Sequence, residues 1–222
     1  MVGSRAGIVC LPLLLLAPAA CSVGPSFVVR DEPWRAEEER ACLVSGQVRE
    51  APPFVTVRVS LGGPSACGAL KPFSVAATVR GAVALEPPAL VRCPMVHAID
   101  HWAERVVAPA ARWHLRAEVV GIRVAGSYSC RPMNSVNGAL LSEHGHANAL
   151  DVSGFVLADG RVVSVRTGWQ GASWSEQSFL RAVHRESCRV FTTVLGPDYD
   201  SLHHDHFHLD LARHRDDGRI CK

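Results

Sequence analysis

The spacing of apolar residues predicts short strands in the first half of the chain, followed by a helix. Residues 54–59 and 74–79 are rich in strand-forming residues, and turn residues, including the prolines at 87–88, separate such pieces. Residues 95–114 place apolar side chains at helical spacing on one face. Pro109 is expected to kink or interrupt that helix, because proline lacks a backbone N–H and clashes with the preceding turn.

More strands are predicted in the second half of the chain. Residues 118–124 and 149–157 are strand-like, and a hairpin turn at 159–160 leads into a further strand at 161–165. A last strand is expected around residues 206–211, after a loop that contains glycine and proline.

One amphipathic helix interrupts these strands. Residues 174–191 have helical spacing, either Ser173 or Ser175 can cap the first turn, and Glu176 is favourable there. The order of the elements therefore predicts a single α+β domain with a small, mainly antiparallel sheet and flanking helices.

The N-terminus has the pattern of an export signal. Arg5 precedes an apolar run at residues 8–20, which ends in small residues and is too short to span a bilayer as a mature helix. Residues 1–20 are therefore predicted to be a signal peptide, and the protein is expected in the periplasm.

The cleavage site leaves two alternatives open. Cys21 follows two alanines, as a lipidated cysteine would, whereas the small residues at 17–19 also fit ordinary signal cleavage and would leave Cys21 as a free thiol. We favour lipidation of Cys21, because it removes the odd thiol from the count; it would anchor the protein to a membrane. Residues 22–41 are then a polar tether, and residues 42–222 form the folded domain.

Composition and charge exclude some classes of protein. Hydrophobic residues make up 48% and charged residues 20% of the 222 residues, which is ordinary for a globular chain and not for a disordered one. A net charge of +2 lacks the basic excess of nucleic-acid binders, so no nucleic-acid partner is expected. No feature of the sequence addresses the oligomeric state. Eight cysteines and eleven histidines are the unusual features.

Six cysteines remain when Cys10 leaves with the signal peptide and Cys21 carries lipid. None lies in a CxxC pair, which argues against a thiolate metal site, and an even number in an exported chain favours disulfides. The candidates are Cys42, Cys67, Cys93, Cys130, Cys188 and Cys221. The sequence leaves the pairing open, and we expect a Cys130–Cys188 bridge because these two residues flank the histidine-rich region.

Two histidine clusters carry the candidate chemistry. His144 and Asp151 can reach one point if a turn is followed by a strand. Residues 203–208 read HHDHFH, and in a strand Phe207 and Leu209 would face the core. The alternate histidines would share the other face: His204, His206 and His208. Two imidazoles beside a His/Asp pair can supply three ligands of a tetrahedral zinc and leave the fourth position open.

Other polar and aromatic residues have ordinary interpretations. His146 is interpreted as a neighbour of the site, and Asp205 and Asp210 either orient imidazoles or face solvent. Trp169 and Trp174 are candidates for a cleft wall. The remaining histidines are interpreted as ordinary residues, and Trp102 as a core residue; these histidines are His97, His101, His114, His184 and His214.

The motifs resemble a known family. The residues GSYSCRP at 126–132, SEH at 142–144, ANALD at 147–151, DYD at 198–200 and DHFH at 205–208 resemble the extensin-like C-terminal domain family of bacteria. The resemblance covers nearly the whole mature chain. More remotely, SxHxxAxAxD followed by HxxHxH is similar to the LAS metallopeptidases, which include lysostaphin-type enzymes, D-alanyl-D-alanine peptidases and penicillin-insensitive murein endopeptidases. That similarity implies a LAS/hedgehog-like zinc peptidase core.

The resemblance also implies roles for individual residues. One zinc ion would be held by His144, Asp151 and His208. His206 would be the catalytic histidine and His203 would assist it.

Arg131 would steady the developing oxyanion. Relatives have an arginine in a Ser-x-Tyr-Arg stretch, whereas here Cys130 intervenes between Ser129 and Arg131.

These features together predict an exported zinc peptidase that hydrolyses peptidoglycan stem peptides or cross-links, as a carboxypeptidase or an endopeptidase. One alternative is a non-catalytic binding or scaffold protein of the cell envelope that retains the metal site. Another is a metal-handling protein, since residues 203–208 would also bind copper or nickel. Retention of His206 and Arg131 together with the ligand set favours the enzyme.

Overall fold

A mixed β-sheet forms the centre of the computed structural model, which describes residues 26–64, 66–171 and 173–222. Within these residues the strands are β1 (Val55–Val57), β2 (Phe73–Thr78), β3 (Val83–Val91), β4 (Val119–Gly126), β5 (Ala149–Leu157), β6 (Val162–Ser164), β7 (Thr193–Leu195), β8 (Phe207–Asp210) and β9 (Ile220–Cys221). The helices are α1 (Trp34–Ser45), α2 (Cys93–Trp102), α3 (Ala108–Leu115), α4 (Val165–Gly168) and α5 (Trp174–Ser187). The architecture is therefore the predicted α+β domain.

The strand order is β1-β2-β3-β4-β5-β8-β7-β9, and β6 pairs with β5. The prediction of a mainly antiparallel sheet is wrong, because β3 pairs with β4 and β7 pairs with β9 in parallel. The β3–β4 pair is parallel because α2 and α3 lie between the two strands and return the chain to the end from which β3 starts.

The predicted helix at residues 95–114 is present but interrupted, as expected from Pro109. A π-helical segment, Ala103–Val107, separates α2 from α3, and Pro109 lies in the first turn of α3. A wider turn directly before a proline relieves the clash that its ring would make with a regular α-helix. Trp102 is fully buried in the core, where its indole N–H donates to Ser187 Oγ at 2.7 Å.

The sequence does not predict strand β3, because the prolines at 87–88 indicate a turn between strands rather than the middle of one. The antiparallel register with β2 runs from Phe73–Val91 to Val75–Ala89 and resumes only at Ala77–Ala84. Pro87 and Pro88 therefore lie in an irregular part of the strand, where no ladder hydrogen bond is required of their nitrogen atoms.

Strands β5 and β8 lie side by side and carry much of the predicted chemistry. They pair antiparallel, with Asp151 opposite His208. Phe207 and Leu209 are fully buried, as predicted from the strand period. His204 does not share the face of His208, because the strand begins only at Phe207 and His204 lies exposed in the preceding turn.

All six candidate cysteines form disulfides: Cys42–Cys93, Cys67–Cys130 and Cys188–Cys221. The expected Cys130–Cys188 bridge is wrong. Cys188 directly follows α5 and bonds to Cys221 in β9, with their Cα atoms 6.1 Å apart. The Cα atom of Cys130 lies 5.7 Å from that of Cys67. Closeness to the histidines along the chain did not indicate these distances; the Cys188–Cys221 distance depends on where β9 joins the edge of the sheet.

The polar segment assigned to a tether takes part in the fold. Residues 34–41 belong to α1, and Val28 forms a parallel bridge with Leu140. The signal peptide predicted at residues 1–20 and the anchor predicted at Cys21 lie outside the described residues. Within the described ranges, no helix is both long and apolar enough to cross a membrane.

Candidate metal centre

Three side chains converge where β5 and β8 pair. His144 lies in a 3₁₀ turn, Glu143–His146, which Ser142 caps by accepting the backbone N–H of His144. Asp151 follows in β5, and His208 is its cross-strand neighbour in β8. The turn and the strand thus bring together the two clusters that the sequence separates by more than fifty residues.

The ligand atoms of the three residues are close enough for one metal ion. His144 Nε2 lies 3.1 Å from Asp151 Oδ2 and 3.2 Å from His208 Nδ1. His208 Nδ1 lies 2.9 Å from Asp151 Oδ1. Zinc ligands at tetrahedral angles are about 3.3 Å apart, given bond lengths of about 2.0 to 2.1 Å. Two imidazoles and a carboxylate are also a donor set that zinc accepts, so the residues fit this ion.

Each imidazole of this cluster is oriented by a hydrogen bond at its other nitrogen. The carbonyl of Ser127 lies 2.5 Å from His144 Nδ1, and Asp210 Oδ2 lies 2.9 Å from His208 Nε2. If these nitrogens carry the protons, His144 Nε2 and His208 Nδ1 are left as lone-pair donors to a metal. Such hydrogen bonds fix ring orientation and raise ligand basicity.

A glycine allows the carboxylate of Asp151 to lie close to β4. A Cβ atom at Gly126 would lie 2.8 Å from Asp151 Oδ2, which is too close for a side chain. Gly126 is the first residue of GSYSCRP, the first segment of the family motif. The close approach of Asp151 explains why a glycine is needed at this position, which the sequence alone did not reveal.

The charges of the cluster favour an ionised Asp151. Burial disfavours this charge, but hydrogen bonds from His144 and His208 outweigh it and hold the pKa of Asp151 well below its usual value. Burial likewise opposes protonation of His208, yet hydrogen bonds and charges from Asp151 and Asp210 raise the pKa of His208 to about 10. A metal ion at these ligands therefore competes with a proton.

His206 and His203 lie beside the three candidate ligands. His206 Nε2 is 3.7 Å from Asp151 Oδ1, and His206 Nδ1 lies 2.9 Å from Asp205 Oδ1. The ring of His203 is centred 5.3 Å from that of His206. The structure thus brings together the predicted ligands and both predicted catalytic histidines.

An aspartate also orients His203. Asp200 Oδ1 lies 2.6 Å from His203 Nδ1 and also accepts the backbone N–H groups of Leu202 and His203. Burial lowers the pKa of His203, although Asp200 acts in the opposite direction. His203 is therefore favoured as a neutral imidazole at neutral pH.

Arg131 lines the same cleft but makes no described contact with the three candidate ligands. Its guanidinium donates to the carbonyl of Pro132 at 3.4 Å, and its own carbonyl accepts the N–H of Ser142 at 3.1 Å. The intervening Cys130 bonds to Cys67. Arg131 is thus held next to the turn that carries His144, on the wall of the cleft.

The cleft above the cluster has a volume of about 650 Å³. Its lining combines the histidines and other polar side chains with apolar ones, which include Val28, Met133, Leu140, Leu195, Tyr199 and Leu202. The expected tryptophans do not line it. Trp169 is buried and donates its indole N–H to Asp198 at 2.8 Å, while Trp174 is exposed to solvent at the start of α5.

The match to a family model identifies the chain. The model described as Extensin-like protein C-terminus matches residues 40–222. The chain belongs to this extensin-like family. Comparisons with curated proteins and with solved structures found no match. All of the predicted ligands and catalytic residues lie within the matched part of this extensin-like chain.

The segment before the family match also contributes to the cleft of this extensin-like protein. Val28, Arg30 and Glu32 line the cleft at alternate positions, followed by Arg35 in α1. Their role was not predicted, because a run of mixed charges is equally typical of a tether. The alternate spacing of Val28, Arg30 and Glu32 was the one available signal of an extended segment with a lined face.

Two histidines interpreted as ordinary residues differ in their surroundings. His214 lines the cleft, and its Nε2 lies 2.8 Å from Thr193 Oγ1. His184 packs against Trp169 and Phe207, away from the cleft. Neither contacts the three candidate ligands in the described residues.

We expect His146 to make stability depend on pH. Burial, together with the charge of Arg35, lowers its pKa from 6.5 to about 4, although Glu32 acts in the opposite direction. Between these pH values the unfolded chain binds more protons than the folded chain, so the free energy of unfolding decreases as pH falls from about 6.5 to about 4. Urea unfolding at pH 7 and pH 4.5 measures this decrease. Between the two pH values, the free energy of unfolding should fall by about 2 kcal/mol less in His146→Gln than in wild type. The same loss in both proteins would contradict this account.

Proposed function

We propose that the protein is an exported, zinc-dependent peptidase that hydrolyses peptide bonds in the stem peptides or cross-links of peptidoglycan. One observation carries the proposal: His144 Nε2, the Asp151 carboxylate and His208 Nδ1 cluster within about 3 Å of one another beside His206. Peptidoglycan as the substrate rests on the similarity of the motifs to the LAS peptidases.

His144, Asp151 and His208 would hold the zinc ion, with Ser127 and Asp210 fixing the two imidazoles. Zinc bound by three protein ligands supplies Lewis acidity that polarises a carbonyl and activates water near neutral pH. A group of three ligands leaves one tetrahedral position for substrate chemistry, which distinguishes it from a closed structural site.

His206 is the general base and acid of this proposal. Asp205 accepts a hydrogen bond from the N–H at Nδ1 in this proposal, so Nε2 carries the lone pair; Nε2 lies 3.7 Å from Asp151 Oδ1. An imidazole in this position can take a proton from the attacking water and deliver it to the leaving amine. Asp205 positions the ring for both steps.

His203 supports His206 as its neighbour in the cleft, with ring centres 5.3 Å apart. Its proton at Nδ1 is held by Asp200, which turns Nε2 away from that carboxylate. A neutral His203 adds no positive charge that would repel the protonated form of His206. This arrangement favours proton transfer through His206.

Arg131 supplies positive charge to the wall of the cleft. Among the described residues it has no carboxylate partner, so its guanidinium is available to negative charge that develops on the carbonyl oxygen. The mixed polar and apolar lining and the volume of about 650 Å³ suit a short peptide segment.

An exported location agrees with the cysteines. Disulfides persist in oxidising compartments, and all six cysteines in the described residues are paired. The disulfides support our proposal of a periplasmic location, whereas the proposed lipid anchor at Cys21 rests on the N-terminal sequence alone.

Removal of the metal tests the proposal. Dialysis of the full mature chain against a chelator is expected to abolish release of new amino groups from purified stem peptides, and one equivalent of zinc should restore it. Peptidoglycan binding measured by co-sedimentation serves as the companion assay. Binding without any zinc-dependent cleavage would contradict the peptidase and support a scaffold protein of the envelope.

A further inference from the structure

The first turn of α1 contacts the turn that carries the candidate ligand His144. Arg35 donates from its two terminal nitrogens to the two oxygens of Glu143, at 2.8 Å and 2.5 Å. Its Nε donates to Glu32 at 2.7 Å. Both side chains of the Arg35–Glu143 pair are nearly buried, with 12% and 13% exposure. A bidentate pair of this kind fixes orientation as well as distance.

Glu143 is the residue directly before His144, and it is fixed from both sides. Asn148 Nδ2 donates to Glu143 Oε2 at 2.7 Å, and the backbone N–H of Asn148 donates to the carbonyl of Glu143 at 2.9 Å. The turn ends at Ala147, whose φ is +52°, a conformation that an alanine rarely adopts. Contacts around the turn therefore hold this backbone in place.

We infer that Arg35 is a positioning residue of the metal centre. By holding Glu143, it fixes the turn in which His144 presents Nε2 to Asp151 and His208. The inference rests on the metal site of the proposed function, and it adds a residue that precedes the matched family segment.

Other contacts hold α1 in place without Arg35's side chain. The Cys42–Cys93 disulfide joins α1 to the start of α2. Arg92 is buried, donates its side chain to the carbonyl of Arg35, and donates its backbone N–H to Ala147 at 2.8 Å. Replacing the Arg35 side chain is therefore expected to leave α1 docked and to loosen chiefly the turn around Glu143.

Zinc affinity measured by competition with a chromophoric chelator tests the inference in the full mature chain. Removing a group that orients a metal ligand typically weakens metal binding by about 10- to 100-fold. We expect a loss of that size in Arg35→Gln, a similar loss in Glu143→Gln, and no further loss in the double variant. Arg35→Lys keeps the positive charge but lacks the planar guanidinium that binds both oxygens of Glu143, so its zinc affinity is expected to lie between those of Arg35→Gln and wild type.

Val183→Ala is the control for lost stability. Val183 is fully buried in α5 and lines no part of the cleft, so this variant should unfold more easily and still bind zinc as wild type does. A second readout is the visible spectrum of the cobalt-substituted proteins, which is expected to change in Arg35→Gln and not in Val183→Ala.

Wild-type zinc affinity and an unchanged cobalt spectrum in Arg35→Gln would overturn the positioning role. If His144→Ala lost zinc in the same experiment, the metal site of the proposed function would stand. Absence of zinc binding by wild type would overturn both.

Discussion

Replacing His208 with alanine is expected to weaken zinc binding by about a thousandfold. Structural zinc in zinc-finger peptides binds with apparent free energies of about 10 to 16 kcal/mol at neutral pH, and we take this range as a guide. His208 is one of the three ligand-bearing residues of the cluster, and the loss of one should cost about 4 kcal/mol, which corresponds to this factor. Isothermal titration or chelator competition measures the change directly.

His204→Ala is the matched control for this variant. His204 belongs to the same histidine run but is exposed, and its Nδ1 contacts only the carbonyl of Ser201 among the described hydrogen bonds. We expect its zinc affinity to equal that of wild type. Retention of tight binding in His208→Ala, with loss in His204→Ala, would mean that the exposed histidines bind the metal and that the assigned cluster does not.

Replacing His206 with alanine is expected to lower kcat by about 10²- to 10⁴-fold, the usual contribution of a general acid or base. Zinc content should stay at one equivalent, because His206 Nε2 lies 3.7 Å from Asp151 whereas the nitrogens of His144 and His208 lie near 3 Å from it. Steady-state kinetics with a stem peptide, together with metal analysis of the same sample, separates the two effects. Loss of zinc from His206→Ala would instead make His206 a ligand, and unchanged kcat would remove its catalytic role.

The sequence predicted which candidate residues lie together better than it predicted what surrounds them. The alternation of residues along a strand correctly predicted that Phe207 and Leu209 are buried. A turn followed by a strand brings His144 and Asp151 together, as expected. These predictions depend on local geometry over a few residues. The pairing of Asp151 with His208 then follows from two neighbouring strands with matching register.

Features that depend on distant parts of the chain were not predictable in this way. The Arg35–Glu143 contact spans 108 residues, and nothing in the charges around Arg35 distinguishes a buried ion pair from a solvated tether. The cysteine pairing depends on β9 returning beside β7, which brings Cys221 to Cys188. The parallel β3–β4 pair depends on the path of α2 and α3, since strand sequences alone do not specify direction.

Mass spectrometry of purified stem peptides tests the central claim most directly. Linear and cross-linked peptides are incubated with the full mature chain that carries one equivalent of zinc, and with His206→Ala under the same conditions. The account predicts new shorter peptides with wild type, formed by hydrolysis of one peptide bond, and almost none with His206→Ala. Intact linear and cross-linked peptides after incubation with the zinc-loaded wild type would contradict it.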